Sequence, residues 1–207
     1  MEKIADPSEV AVVLLAAGQA RRFGTAIDSK LLALFDGIPL VRRSAMRACE
    51  SMARSVTVVV GFRAPEMISA LSGLPINIAH NPDFASGMSS SLITGMMTPQ
   101  VRSAQGTLVM LADMPSVSTA DLNALIEAFV AHGGRSIIGA TCGNIHGNPV
   151  IFPRSLMGEV ARLKGDLGAR SIIRASNVPV VDFDIGTSAL HDVDTVEALI
   201  AAGGIIS

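Results

Sequence analysis

Three unbroken, largely aliphatic runs constrain the fold of this chain more than any other feature. They cover residues 10–16, 56–60 and 107–111, and none of them alternates apolar with polar side chains. Strands without alternation are typical of a parallel sheet that is covered on both faces. Helical patterns separate the three runs, so the sequence predicts an α/β fold with a mostly parallel sheet.

The segments between and after these runs supply the helices. Proline at a first-turn position and apolar spacing predict a helix over residues 39–52, and a shorter one follows at 64–71. Ser118 and Asp121 resemble a capping box, and the apolar spacing that follows predicts a helix that Gly133 ends. Further helices are predicted at 154–163, 168–175 and 194–202, and strands at 136–140, 149–152 and 178–183, with 141–148 as a glycine-bearing loop of a hairpin.

Length and charge limit the class of protein. The 207 residues carry a formal net charge of -2 and are 49% apolar, which suits one domain over residues 1–207, with 1–9 as an N-terminal extension. The 16 Lys and Arg residues are dispersed, which argues against a nucleic-acid binder.

The location of the protein is inferred from what its sequence lacks. Residues 1–10 carry three acidic residues and no long apolar region, unlike a secretory signal, and no apolar run approaches the ~20 residues of a membrane span. Cys49 and Cys142 lie far apart outside CxxC spacing, which fits reduced thiols in a core. We therefore expect a cytoplasmic protein with no membrane contact.

The loop after the first strand has the composition of a phosphate-binding loop. Gly18 and Gly24 flank a small-residue segment with Arg22, and Lys30 follows as a second cation. The Walker A spacing fails, since no Lys-Ser pair follows Gly24, and the dinucleotide spacing fails at Ala20. The alternative is an ordinary strand-to-helix turn with solvated arginines.

Two further loops carry polar groups at strand ends. Asp113 follows the run 107–111, where a carboxylate can hold a divalent ion that bridges phosphates; the alternative is a turn cap. Residues 81–92 contain Gly87 and a serine cluster that leads into a helix. These N–H and hydroxyl groups suit a ribose, base or phosphate, although serine there is commonly only a cap.

These pieces occur in the order found in one family. Residues 15–24 with Lys30 resemble the LAAGxSxRMGxxK signature of the MobA-like nucleotidyltransferases, closest to the molybdenum cofactor cytidylyltransferase branch. The chain departs from that pattern at Ala20 and Phe23 and in a longer gap before Lys30. The other matching segments are 81, 87–92, 111–115, 147–150, 164–170 and 192–195.

The resemblance implies a Rossmann-like three-layer α/β/α fold and a role for each matching residue. It assigns catalysis to Arg22, Lys30 and Asp113, and the metal to Asp113 and Asp192, with Asp194 as the alternative second acid. The nucleotide-binding residues that it implies are Leu15, Ala16, Ala17, Gly18, Arg22, Lys30, Asn81, Gly87, Ser89 and Ser90. The acceptor-binding residues are His146, Gly147, Asn148, Asp166 and Arg170.

The implied reaction is Mg²⁺-dependent transfer of CMP from CTP to the terminal phosphate of a molybdopterin-type acceptor, with release of pyrophosphate. Alternatives that stay open are GTP as the nucleotide, a sugar phosphate as the acceptor, and a non-catalytic cofactor carrier. A molybdenum hydroxylase of the xanthine dehydrogenase type would be the carrier's client. An oxidoreductase is disfavoured because the dinucleotide fingerprint is missing.

Overall fold

The computed structural model describes residues 9–19, 29–163, 165 and 168–205, with the backbone alone at 169 and 170. Its strands are β1 (Val10–Ala16), β2 (Leu34–Phe35), β3 (Ile38–Pro39), β4 (Ser55–Val60), β5 (Asn77–His80), β6 (Gly106–Leu111), β7 (Ile137–Cys142), β8 (Ile145–Pro153), β9 (Val180–Asp184) and β10 (Gly204–Ile205). Its helices are α1 (Leu40–Cys49), α2 (Ala64–Ala70), α3 (Met88–Met96), α4 (Pro99–Arg102), α5 (Thr119–Ala131), α6 (Met157–Val160), α7 (Ala169–Ala175) and α8 (Val196–Ala201).

The main sheet has seven strands in the order β5-β4-β1-β6-β8-β7-β9, and β8 runs antiparallel to both of its neighbours. The three aliphatic runs form its centre, which confirms the prediction of a mostly parallel sheet. Ala16 pairs with Val60 and Leu15 with Leu111, so β1, β4 and β6 end at the same edge. The loops after these strands therefore meet there.

The two faces of β1 pack into separate cores. Val12 and Leu14 belong to one apolar cluster with residues of α1 and α5, while Ala11 and Val13 belong to another with residues of α3. The alternate side chains of a strand point to opposite faces, so one strand serves both cores. This arrangement confirms the three-layer α/β/α fold.

Local signals are confirmed at α5 and refined elsewhere. The Ser118 hydroxyl accepts from the Asp121 N–H at 3.1 Å and the Asp121 carboxylate accepts from the Ser118 N–H at 2.8 Å, which is a complete capping box. The hairpin is also present, but the predicted loop 141–148 is too long. β7 and β8 continue to a turn at Gly143 and Asn144, and Gly143 has the positive φ of 55° that this turn requires.

Other predicted boundaries moved, and some elements were missed. The helix predicted over 154–163 is a short 3₁₀ helix, Arg154–Leu156, followed by α6. Sequence patterns did not reveal β5, α4 or the small second sheet with the order β10-β2-β3. Within the described ranges, no helix is both long and apolar enough for a membrane span. A single domain over 1–207 stays a prediction.

The antiparallel strand matters for the site. Val109 of β6 pairs with Val150 of β8, so the register brings residues 146–148 beside the end of β6. Six strands present their carboxyl ends at this edge, and β8 presents its amino end. The predicted acceptor-side residues His146, Gly147 and Asn148 therefore lie at the same edge of the sheet as Asp113.

Candidate active site

An ion triad lies at the carboxyl end of β6. Lys30, in a short 3₁₀ helix, places its Nζ atom 2.5 Å from Asp113 Oδ2 and 2.8 Å from Asp194 Oδ1. The side chains of Lys30 and Asp113 are only 13% and 16% exposed, whereas Asp194 is 39% exposed. Charges this close in a partly desolvated site interact strongly, so the triad is the electrostatic centre of this edge.

Backbone hydrogen bonds hold the triad together. The Val193 N–H donates to the Asp113 carbonyl at 2.9 Å, and the Ala112 N–H donates to the Leu15 carbonyl at 3.1 Å. The first bond ties the acidic segment 192–194 to the end of β6. The second ties that strand end to the last residues of β1, which precede the glycine loop. Three distant parts of the chain are therefore fixed around one carboxylate.

Burial and charge act in opposite directions on the two central groups. Burial raises the pKa of Asp113 above its ordinary value of 3.8 and Asp192 raises it further, while Lys30 opposes both. For Lys30, burial lowers the pKa, but Asp113 and Asp194 outweigh it and raise the pKa above 10.5. Lys30 therefore stays protonated and serves as the counterion of both carboxylates.

The donor set fits a divalent metal that is shared with a substrate. Asp113 Oδ1 is buried and has no hydrogen-bond partner among the described residues, so an anionic oxygen is available beside the triad. No cluster of three or more His, Cys, Asp or Glu side chains with metal-binding geometry occurs among those residues. Mg²⁺ commonly uses one or two carboxylates plus water and phosphate oxygens, which matches Asp113 with Asp192 or Asp194.

The glycine loop presents its backbone to the same edge. Ala16 and Ala17 are buried, and no atom of the described residues lies within 4 Å of where a Cβ at Gly18 would be. The Ala17 carbonyl accepts a hydrogen bond from the Phe62 N–H at 3.1 Å. The first residue of the loop is thus anchored just beyond the end of β4, next to the exposed Gly18. Arg22 lies outside the described residues.

The serine loop is held by its own side chains. Asn81 is 1% exposed, and its amide nitrogen donates to the hydroxyls of Ser90 at 2.9 Å and Ser91 at 3.0 Å. Ser89 donates to the Gly165 carbonyl at 2.7 Å, and Ser90 donates to the Gly87 carbonyl at 2.8 Å. These groups fix the start of α3. Direct nucleotide contact by Asn81, Gly87, Ser89 and Ser90 stays a prediction.

The acceptor-side residues fall into two groups. A Cβ at Gly147 would lie 2.0 Å from the Ala189 carbonyl oxygen, so glycine is required for the close approach of that segment. His146 is exposed and pairs with Asp182, with Nδ1 3.3 Å from Oδ1. The bond between Asn148 and Pro149 is cis. Asp166 and the Arg170 side chain lie outside what the structure describes.

Two features were missed or underweighted from the sequence. Asp194, rather than Asp192, contacts Lys30, and the Asp-Val-Asp spacing was the available signal. The rings of Phe62 and Phe84 contact each other, with centroids 6.2 Å apart. Phe84 also packs closely on Gly61, since a Cβ added at Gly61 would lie 2.7 Å from the Cβ of Phe84. Nothing in the sequence pattern links these three residues.

The comparison with known families accounts for this arrangement. The profile of the MobA-like NTP transferase domain matches residues 12–180, from β1 to the start of β9. The chain belongs to the MobA-like NTP transferase family. The match covers Lys30, Asp113 and the hairpin, while Asp192 and Asp194 follow it. Membership in this family confirms the resemblance and makes the chain a member of a nucleotidyltransferase family.

Individual relatives of this MobA-like chain have diverse names. Nicotine blue oxidoreductase of Paenarthrobacter nicotinovorans is 30% identical over 90% of this chain and 93% of its own length. Purine catabolism protein PucB of Bacillus subtilis (strain 168) is 29% identical over 89% of this chain and 91% of its own. The manganese complex of Rv0371C from Mycobacterium tuberculosis H37Rv has the same fold, with a TM-score of 0.77, 23% identity, and coverage of 94% and 98%.

Proposed function

We propose that this protein is a Mg²⁺-dependent cytidylyltransferase. It transfers CMP from CTP to the terminal phosphate of a molybdopterin-type acceptor and releases pyrophosphate. The observation that carries the proposal is the triad of Lys30, Asp113 and Asp194 beside the open Gly18 loop. A cation and paired carboxylates at this edge suit a metal-bound triphosphate.

Each described group has a task in this reaction. The Gly18 backbone admits the triphosphate closely, and Lys30 neutralises charge that develops on it. Asp113 Oδ1, with Asp192 or Asp194, would hold Mg²⁺, which supplies Lewis-acid stabilisation of the phosphate oxygens when bound. No nucleophilic side chain is needed, because an acceptor phosphate oxygen attacks the α-phosphorus. Positioning of the substrates and compensation of their charge account for the acceleration of the reaction.

The acceptor is proposed to approach from the hairpin side. Residues 146–148 lie near the start of β8, beside the end of β6, and His146 is exposed there. Gly147 supports this surface through its contact with Ala189. His146, Gly147, Asn148, Asp166 and Arg170 are therefore the proposed acceptor side. Arg22 is proposed as the second cation on the triphosphate.

The proposed metal, nucleobase and acceptor are each supported by a different observation. A structural neighbour holds manganese, and Asp113 Oδ1 has no hydrogen-bond partner among the described residues, so a divalent ion is favoured. The motif resemblance favours CTP and a molybdopterin. The name of PucB, a purine catabolism protein, fits a role upstream of a molybdenum hydroxylase of the xanthine dehydrogenase type. Action in the cytoplasm is part of the same proposal.

A pyrophosphate-release assay tests the function. The wild type is incubated with each of four nucleoside triphosphates, Mg²⁺ and molybdopterin, and CTP should give the fastest release. D113N should lower the rate by about 100-fold or more, because it removes the anionic metal ligand. D36N is the matched control, since Asp36 is an exposed carboxylate paired with Arg43. Equal turnover by wild type and D113N would refute the assignment of Asp113.

The alternatives make different predictions in the same assay. Tighter binding of GTP than of CTP, measured by calorimetry with Mg²⁺, would overturn CTP as the proposed nucleotide. Pyrophosphate release with a sugar 1-phosphate alone would overturn the molybdopterin as the proposed acceptor. Tight pterin binding without any release indicates a carrier. The name of the relative from Paenarthrobacter nicotinovorans favours an oxidoreductase as a second candidate. Binding of a reduced nicotinamide dinucleotide, together with no pyrophosphate release, would support that candidate.

A further inference from the structure

Helix α1 contacts the turn that carries Asp113 through two side chains. Ser44 is only 2% exposed, and its hydroxyl donates to the Ala112 carbonyl at 3.0 Å. Arg47 Nη1 donates to the carbonyls of Pro115 at 2.5 Å and Val117 at 2.6 Å. Residues three apart lie on the same face of a helix, so Ser44 and Arg47 face this turn together.

These bonds surround Asp113 without touching its side chain. Ser44 holds the carbonyl just before Asp113, and Arg47 holds two carbonyls just after it. With the bond from Val193 to the Asp113 carbonyl, the backbone is fixed on both sides of the carboxylate. A guanidinium donates stronger hydrogen bonds than a neutral group, and burial lowers the pKa of this one, consistent with a partly desolvated position.

We propose that Ser44 and Arg47 are positioning residues for the metal, which hold the turn 112–117 so that Asp113 Oδ1 faces the cation. The inference rests on the proposed function, because it assigns that oxygen to Mg²⁺. Partners behind a metal ligand fix its orientation, and their loss typically weakens metal binding. Here the partners act on the backbone of the ligand rather than on its side chain.

The same helix supplies a matched control. Arg42 Nη1 donates to the carbonyls of Ala70, the last residue of α2, and Ser72, both at 2.9 Å. Arg42 and Arg47 thus each join α1 to a loop through two carbonyls, but only Arg47 contacts the turn of Asp113. R42M and R47M remove the same charge and the same number of hydrogen bonds.

The test measures metal binding directly. Mn²⁺ is titrated into the full chain with CTP and followed by electron paramagnetic resonance, with thermal unfolding measured in parallel. R47M should weaken Mn²⁺ binding by about tenfold, and R42M should leave it unchanged while lowering the unfolding temperature by a similar amount. If R47M does not fold, S44A and R47K are titrated in its place. S44A should weaken Mn²⁺ binding, and R47K should retain part of the affinity.

The outcomes separate the two proposals. Equal Mn²⁺ affinity in wild type, S44A and R47M would overturn the positioning role and leave the proposed function standing. Equal weakening in R42M and R47M would also overturn it, since general stability would then explain both. A wild type that binds no Mn²⁺ with any nucleotide would overturn the proposed function, and the positioning role with it.

Discussion

Lys30 and Asp194 are separated by 164 positions in the chain, yet their Nζ and Oδ1 atoms lie 2.8 Å apart. The same ammonium contacts Asp113, so one cation compensates two carboxylates that come from different elements. Without a metal, Lys30 is their main source of positive charge among the described residues. A metal that binds Asp113 through Oδ1 must therefore share this carboxylate with a lysine, which contacts Oδ2.

Lys30→Met should destabilise the protein because it leaves Asp113 buried without a counterion. We expect the free energy of unfolding to fall by about 2 to 3 kcal/mol in urea unfolding. In K30M/D113N the loss should be smaller than the sum of the single losses. R43M is the control, since it removes an exposed pair with Asp36 and should cost about 0 to 1 kcal/mol. Additive losses would show that Lys30 and Asp113 do not interact.

The raised pKa of Asp113 should appear in the pH dependence of stability. At pH values between the ordinary pKa of 3.8 and the raised pKa, Asp113 keeps its proton in the folded chain and loses it in the unfolded chain. The free energy of unfolding of the metal-free protein should therefore fall as pH rises through this window. Urea unfolding with a chelator, from acidic to neutral pH, measures this slope. D113N should remove this contribution, and an unchanged slope would contradict it.

Metal binding should have the opposite pH dependence over the same window. Because the cation needs the ionised carboxylate, Mn²⁺ affinity should rise as Asp113 loses its proton. D192N should move this rise to lower pH, since Asp192 contributes to the raised pKa of Asp113. The midpoint of affinity against pH distinguishes this shift from a plain loss of affinity.

Gly147→Ala should disturb the acidic segment from a distance. The new methyl group would overlap the Ala189 carbonyl oxygen, so residues 189–194 must move, at a cost of about 1 to 3 kcal/mol. Mn²⁺ binding should weaken as well, because Asp192 and Asp194 move with that segment. Gly158→Ala is the control: Gly158 lies in α6, no described residue comes within 4 Å of a Cβ there, and the change should not destabilise the fold. Wild-type Mn²⁺ affinity in G147A would refute this coupling.

Phe62→Trp should report nucleotide binding, since the chain contains no Trp or Tyr. The Phe62 N–H bonds to Ala17 in the glycine loop, and its ring contacts Phe84 rather than either apolar core. CTP with Mg²⁺ should therefore change the tryptophan emission. F183W, on the outermost strand β9, should not respond to CTP. Equal responses from both variants would place the nucleotide elsewhere.

Local patterns predicted the frame of the molecule well. The run 10–16 and the capping box of Ser118 were confirmed because their signals lie within a few residues. The hairpin turn was predicted too long, since Gly143 and Gly147 look alike in sequence although one makes the turn and the other packs against Ala189. Such a distinction depends on tertiary contacts.

The site was predicted in part for the same reason. Ordered motifs pointed to Lys30 and Asp113, which the fold brings together. The Asp-Val-Asp spacing marks two acids but does not tell which of them contacts the lysine. No spacing indicates that Asn81 uses its amide group to hold two serine hydroxyls. Those partners come from segments that meet only after folding. The sequence alone therefore could not distinguish residues that stabilise the site from residues that contact a substrate.

The hydrogen bond from the Val193 N–H to the Asp113 carbonyl uses no side chain. Substitutions of the side chains at 192 and 194 therefore leave intact this bond, which anchors the segment at the end of β6. Each carboxylate can thus be replaced separately, while the backbone bond that positions both of them is kept.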